Sequence, residues 1–144
     1  MQAYPHHYTV TAKGEDLGMV QLSSPGLPTL DTAPPPEFDG PGGVWTPENL
    51  LVAALADCYI LMFRAVARAS RLEWGSLECR AEGKLERVEG VTSFSRYELH
   101  AVLTVPEGTD LDKARRLMEK AEKGCLVSNS LKAERVLRAE IRTV

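Results

Sequence analysis

The sequence lacks the charge pattern of a nucleic-acid-binding protein. Its 144 residues contain 17 Lys and Arg against 20 Asp and Glu, for a net charge of −3, and they include no basic run. Such a chain has no surface with which to neutralise nucleic-acid phosphates. Aromatic residues are also scarce, at 6% of the chain, which is few for a platform on which bases stack. We therefore expect no nucleic-acid partner.

The chain also lacks a recognisable export or membrane segment. Residues 1–7 contain neither the basic segment nor the apolar segment of a signal peptide. The longest apolar stretch lies between Glu48 and Arg64 and is interrupted by Asp57, so we expect it to be too short to cross a bilayer. These features favour a cytoplasmic protein without a membrane partner.

Few residues are arranged to bind a metal or a cofactor. The three cysteines form no CxxC pair, and the three histidines form no HxxxH pair. His6 and His7 are adjacent, so on a strand they would point to opposite faces and could not share one metal ion. The glycine-rich segment 40–43 is not followed by the Lys and Ser or Thr of a phosphate-binding loop. We expect no metal and no cofactor.

The composition is typical of a single folded domain spanning residues 1–144. Apolar residues make up 44% of the chain and charged residues 26%. Residues 1–30 alternate between apolar and more polar side chains on both sides of a turn at 14–16, which predicts a strand-rich meander. Glycine and proline then cluster between Pro25 and Pro47, which predicts a long loop.

A long helix is predicted after this loop. Thr46 is a suitable N-cap, Pro47 suits the first helical position, and Glu48 complements the positive end of the helix dipole. The helical pattern continues to about Arg71, and apolar residues cover most of the circumference. A helix that is apolar nearly all round is buried on several sides. Because a chain of this length can hardly wrap such a helix alone, we expect a homodimer.

The second half of the chain predicts strands packed on helices. Leu77–Val88 and Phe94–Pro106 are strand candidates, and in the second of them apolar residues alternate with charged ones, as in a half-buried antiparallel strand. A second helix is capped by Thr109-Asp110 and ends at Gly124. A last strand begins at Glu134. The predicted class is α+β, with antiparallel sheets packed on the long, buried central helix.

The positions of the cysteines leave two interpretations open. Cys58 lies in the middle of the long helix, where it is either a small buried hydrophobe or a nucleophile activated by a group from elsewhere in the fold. Cys125 follows the second helix, where it either packs under the corner or benefits from free backbone N–H groups. Cys79 lies on a mixed strand and is interpreted as structural. An odd number of cysteines argues against a disulfide framework, so any pair would be reactive.

Two segments of the chain resemble the two motifs of the OsmC/Ohr family of hydroperoxide-reducing proteins. Thr46–Cys58, which reads TPENLLVAALADC, resembles the first motif, and Gly124–Leu131, which reads GCLVSNSL, resembles the second. Their spacing and the total length also fit the family. The resemblance covers nearly the whole chain and implies an intertwined α+β homodimer with a site at the subunit interface.

The resemblance also implies a reaction. Cys58 would attack the O–O bond of an organic hydroperoxide, release an alcohol and become a sulfenic acid, and Cys125 would resolve that acid into a disulfide. An external dithiol would then reduce the disulfide by thiol exchange. Glu48 matches a glutamate that holds an activating arginine in family members. The chain would thus be an antioxidant, stress-response peroxidase with Cys58, Cys125 and Glu48 in its catalytic site.

We further expect organic hydroperoxides to be better substrates than hydrogen peroxide, because the surroundings of Cys58 are expected to be apolar. The expected lining consists of Tyr59, Phe63 and the loop that carries Phe38 and Trp45.

A second hypothesis retains the fold without the reaction. In it the dimer binds an apolar small molecule and the cysteines are not catalytic. A cation beside Cys58 would favour the enzyme. No arginine precedes Arg64, Lys13 is the only cation before it, and the segment 36–38, where some family members place the arginine, reads Pro-Glu-Phe. Glu48 lies ten residues before Cys58, about 15 Å along one helix, so it would have to act through an arginine or across the dimer.

Overall fold

The computed structural model describes residues 1–144 and divides them into two compact units, residues 1–50 and residues 51–144. Each unit contains one three-stranded sheet. The combination of two sheets with a long helix confirms the predicted α+β class. That the chain forms a single domain and a homodimer stays a prediction.

The first unit contains a small antiparallel meander. Its strands are β1 (Thr11–Lys13), β2 (Val20–Ser23) and β3 (Leu30–Thr32), in the order β1-β2-β3. A short 3₁₀ helix at Pro36–Phe38 interrupts the glycine- and proline-rich loop. The meander is confirmed within residues 11–32, but the alternating segment 4–10 is exposed and forms no strand. Alternation alone does not make a strand, because the backbone groups also need a neighbouring strand as hydrogen-bond partner.

The long helix α1 spans Pro47–Ala69 and begins at the end of the first unit. Its predicted start is confirmed, since the Thr46 hydroxyl accepts a hydrogen bond from the Asn49 N–H at 3.1 Å. The remaining elements, all in the second unit, are β4 (Leu77–Val88), β5 (Val91–Val105), α2 (Leu111–Gly124), α3 (Leu126–Asn129) and β6 (Glu134–Thr143).

The second sheet has the order β4-β5-β6 and mixes two orientations. β4 and β5 are antiparallel neighbours, whereas β6 lies parallel to β5. The antiparallel expectation therefore holds for the first sheet and for the β4–β5 pair only. The reason is the connection after β5, because a chain that crosses over through helices, here α2 and α3, returns in the same direction.

The core of the second unit lies between α1, α2 and one face of β5. The predicted alternation in β5 is confirmed, since its apolar face is buried from Tyr97 to Val105. One stripe of α1, made of Leu55, Tyr59, Phe63 and Ala67, packs into the same cluster. The buried Tyr59 hydroxyl donates a hydrogen bond to the Met118 carbonyl of α2 at 3.3 Å. This contact fixes α1 against α2 one residue away from Cys58.

The remaining residues of α1 are only partly buried or exposed within one chain. Of the 18 most apolar consecutive residues of the helix, only 22% are buried. The 23-residue helix is long and apolar enough to cross a membrane, so the expectation that this stretch is too short was wrong on length and composition. One such helix is weak evidence for a membrane protein, because core helices meet the same criteria.

Candidate functional site

Cys58 and Cys125 meet where the end of α2 packs against the middle of α1. The Cys125 thiol and the backbone N–H groups of Leu126 and Val127 lie close enough to the Cys58 sulfur to shift the pKa of its thiol. Both cysteines are free thiols, and Cys125 is fully buried. The structure thus brings together two cysteines that are 67 residues apart in the sequence.

The backbone of residues 124–130, here called the Cys125 turn, explains this contact. Cys125 has extended backbone angles and serves both as the C-cap of α2 and as the N-cap of α3. Its N–H donates to the Glu122 carbonyl at 3.3 Å, and its carbonyl accepts from the Asn129 N–H at 2.9 Å. The first N–H groups of a helix have no partner within the helix, so those of α3 are free to point at Cys58.

Gly124 is the last residue of α2 rather than a cap beyond its end. A Cβ atom at this position would lie 3.4 Å from the Met62 sulfur, which shows how closely the turn approaches α1.

The surroundings of Cys58 favour the protonated thiol. Burial raises the pKa of Cys58 above the ordinary value, and the neighbouring Cys125 thiol raises it further. The N–H groups of Val127 and Leu126 lower the pKa but do not offset the burial. No arginine or lysine of this chain contributes to the shift. A cation beside Cys58 therefore stays a prediction, and within one chain no such group shifts this pKa.

An open, largely apolar cavity of about 380 Å³ lies beside Cys58. The other residues that line it are Ala54, Asp57, Leu61, Met62, Ala65, Leu126 and Val127.

The predicted lining was wrong for Tyr59 and Phe63, although the expectation of apolar surroundings was right. Tyr59 and Phe63 are fully buried in the core. Successive helical residues are rotated by about 100°, so Tyr59 points away from the face that carries Cys58. Phe38 and Trp45 belong to the first unit, and their place in the lining stays a prediction.

Glu48 is half-buried in the first turn of α1 and forms no salt bridge within the chain. It lines a separate apolar cavity of about 460 Å³ in the first unit, together with Phe38. The structure does not bring Glu48 to the cysteines, because ten helical residues separate it from Cys58, or about 15 Å along α1. Its role in the site stays a prediction.

Cys79 is a third thiol near the site. The sequence did not reveal that it lies close to Cys125. It lies on the core-facing side of β4 and pairs in register with the buried Ala101. Burial raises the pKa of Cys79 to about 11, with a further contribution from Cys125. The alternation of Leu77, Cys79 and Ala81 along β4 was the available signal that this thiol faces inward.

We expect the Cys79 thiol to make stability depend on alkaline pH. The folded state holds this proton more tightly than the unfolded chain, so stability is complete below the ordinary thiol pKa of 9.0 and is lost as pH rises toward 11. In urea unfolding, the free energy of unfolding should fall more steeply between these pH values for the wild-type protein than for Cys79→Val. Equal slopes for the two proteins would contradict this prediction.

The fold and the two neighbouring thiols indicate one class of protein. Its members have an α+β fold, one cysteine within a long helix and a second cysteine where two later helices meet. Residues 40–140 match the family model described as OsmC-like protein. The chain therefore belongs to the OsmC/Ohr family, which confirms the family inferred from the two motifs. The family includes peroxiredoxin-like proteins.

Individual relatives agree with this assignment. The uncharacterized protein YmaD of Bacillus subtilis is 29% identical, with 94% of this chain and 93% of that protein covered. The peroxiredoxin OsmC of Escherichia coli is 28% identical over 74% of this chain and 73% of its own length. The crystal structure of an organic hydroperoxide resistance protein OsmC from Legionella pneumophila has a TM-score of 0.76 at 26% identity and covers 99% of this chain and 100% of its own.

Proposed function

We propose that the protein is a thiol peroxidase that reduces organic hydroperoxides, with Cys58 as the attacking and Cys125 as the resolving thiol. The observation that carries this proposal is that the Cys125 turn packs against α1 at Cys58, so that the two thiols are neighbours. The names of the Escherichia coli and Legionella pneumophila relatives support the same class of reaction.

The proposed reaction has three steps. The Cys58 thiolate attacks the O–O bond of ROOH, takes one oxygen to become a sulfenic acid, and releases ROH after a proton is added to the leaving oxygen. The Cys125 sulfur then attacks the sulfenic acid, so that an S–S bond forms and water leaves. A dithiol reduces this disulfide by thiol exchange and is itself oxidised. Sulfur carries both electrons, so no metal or flavin takes part.

The groups around Cys58 suit these steps. The backbone N–H groups of Leu126 and Val127 lie beside its sulfur and lower the pKa of the thiol, so they favour negative charge there. The apolar cavity beside Cys58 has the size and lining for a small alkyl or aryl group. Asp57 is the only charged residue that lines this cavity, so an uncharged hydroperoxide fits it best.

We also propose that two copies associate along α1 in the cytoplasm. Outside the stripe that packs on β5, the residues of this helix are only partly buried or exposed, and Leu61 is 51% exposed. Burial of apolar surface is the main favourable contribution to association, so a second copy would stabilise the helix. Glu48 lies too far along α1 to contact Cys58 of the same chain. It would therefore act across such a dimer or by holding a cation beside Cys58.

The direct test is oxidation of the reduced protein by one equivalent of cumene hydroperoxide, followed by intact-mass measurement and peptide mapping. We expect the loss of two hydrogen atoms and a peptide that links Cys58 to Cys125, with Cys79 still a free thiol. Hydrogen peroxide is the matched comparison and should react more slowly. Free thiols that persist at both Cys58 and Cys125 would refute the peroxidase and leave the binding protein as the alternative.

A further inference from the structure

Arg135 at the start of β6 holds the Cys125 turn through all three guanidinium nitrogens. Its Nε donates to the Glu122 carboxylate at 2.7 Å, and its Nη2 donates to the Glu122 carbonyl at 2.6 Å. Its Nη1 donates to the Asn129 side-chain oxygen at 2.8 Å. We call Glu122, Asn129 and Arg135 the Arg135 cluster. It ties the last turn of α2, helix α3 and strand β6 to one another.

The same partners also bind the backbone around Cys125. The Glu122 carbonyl that accepts from Arg135 accepts from the Cys125 N–H as well. Asn129 donates its backbone N–H to the Cys125 carbonyl at 2.9 Å and its side-chain amide to the Lys123 carbonyl at 3.2 Å. Every bond that Arg135 makes therefore ends on a residue that itself binds Cys125.

We propose that Arg135 is a positioning residue, which orients the Cys125 sulfur and the N–H groups of Leu126 and Val127 toward Cys58. This inference rests on the proposed function, because it assigns a task within that reaction. Arg135 acts through the turn rather than by its charge, since it is not among the groups that affect Cys58 directly. Its planar guanidinium makes several bonds of fixed direction at once, which a lysine cannot do.

The partly buried position of the cluster makes its geometry well defined. The Arg135 side chain is 28% exposed and that of Glu122 is 16% exposed, so water competes only in part for their bonds. Without the guanidinium, the half-buried Glu122 carboxylate and the Glu122 carbonyl would each lose a hydrogen-bond donor. We expect the turn to shift, which moves the N–H groups of Leu126 and Val127 away from the Cys58 sulfur.

The first experiment measures the pKa of Cys58 without any peroxide. In a Cys79→Ala/Cys125→Ser background, Cys58 is the only thiol, and the pH dependence of its alkylation by iodoacetamide reports its pKa. Arg135→Gln should move the midpoint of this profile to higher pH and reduce the alkylation rate at neutral pH by about threefold to tenfold. Arg138→Gln is the matched control, because Arg138 lies on the same strand, is exposed and pairs with Glu98. It should leave the midpoint unchanged.

The second experiment measures disulfide formation with all three cysteines present. Diamide, a diazene that takes two hydrogens from a pair of thiols, should join Cys58 to Cys125 several times more slowly in Arg135→Gln than in Arg138→Gln. Because neither reagent is a hydroperoxide, the role of Arg135 is tested even if the peroxidase proposal fails.

A folded Arg135→Gln protein with an unchanged alkylation midpoint and an unchanged diamide rate would overturn the inference. Circular dichroism and the Tm establish whether the variant is folded. If it is not, Arg135→Lys takes its place, since it keeps the charge beside Glu122 but cannot make all three bonds. A smaller shift in the same direction is expected for Arg135→Lys, and no shift would again overturn the inference.

Discussion

Cys58→Ser is expected to abolish the reduction of organic hydroperoxides, to the level of the reaction without protein. A hydroxyl at this position has no thiolate form, and sulfur is the atom that accepts the peroxide oxygen in the proposed reaction. The two residues have nearly the same size, so we expect the fold to be retained. Consumption of cumene hydroperoxide in the presence of excess dithiothreitol measures the effect.

Cys125→Ser is the informative companion to this variant. Its Cys58 should still react once, and the sulfenic acid that forms should persist long enough to be trapped by dimedone because no resolving thiol is present. Cys79→Ser should retain turnover, since that thiol is not part of the proposed pair. Activity that survives in Cys58→Ser, or a disulfide between Cys79 and Cys125 as the first oxidation product, would contradict the assignment of the attacking thiol.

The oxidation rate of Cys58 is expected to rise steeply with pH. Only the thiolate attacks the peroxide, and burial raises the pKa of Cys58 above its ordinary value of 9.0. Below that pKa the thiolate fraction grows tenfold for each pH unit, so the rate constant should increase about 100-fold between pH 6 and pH 8. Stopped-flow measurement of single-turnover oxidation in Cys125→Ser tests this expectation without interference from the second thiol.

A rate that is constant between pH 6 and pH 8 would contradict this prediction. It would show that Cys58 is already a thiolate at pH 6, and hence that a positive charge lies near it which the chain's own residues do not supply. The role predicted for Glu48 requires such a charge. Repeating the measurement with Glu48→Gln then separates the two cases, because this substitution should change the rate only where a cation is held beside Cys58.

The positions of the helices and strands could be predicted from the sequence because local signals specify them. The Thr46 cap and Pro47 mark the start of α1, and the Asp110 cap marks the start of α2, where the Asp110 carboxylate accepts from the Lys113 N–H at 3.0 Å. The alternation along β5 predicted its buried face for a similar reason, since side-chain direction in a strand depends only on position along the chain. Residues 4–10 show the limit of such signals, because their alternation has no partner strand to complete it.

Local signals did not predict the orientation of β6 or the residues that line the cavity beside Cys58. Whether β6 runs parallel or antiparallel to β5 depends on how α2 and α3 cross the sheet, which no pattern within β6 encodes. From the sequence, Tyr59 is predicted in the lining beside Cys58. The helical rotation between them sends Tyr59 into the core and leaves Met62 and Leu126 at the cavity.

The sequence by itself determined the class of fold, the helix and strand positions of the second unit and, through its two motifs, the two cysteines to examine. Only the tertiary structure decided what surrounds Cys58 within one chain: the Cys125 thiol and the backbone N–H groups of Leu126 and Val127 at the start of α3. It also decided that Arg135 binds the Cys125 turn. Caps and periodicity act between near neighbours, whereas the distance between two sulfur atoms 67 residues apart depends on how α1, α2 and the sheet pack together.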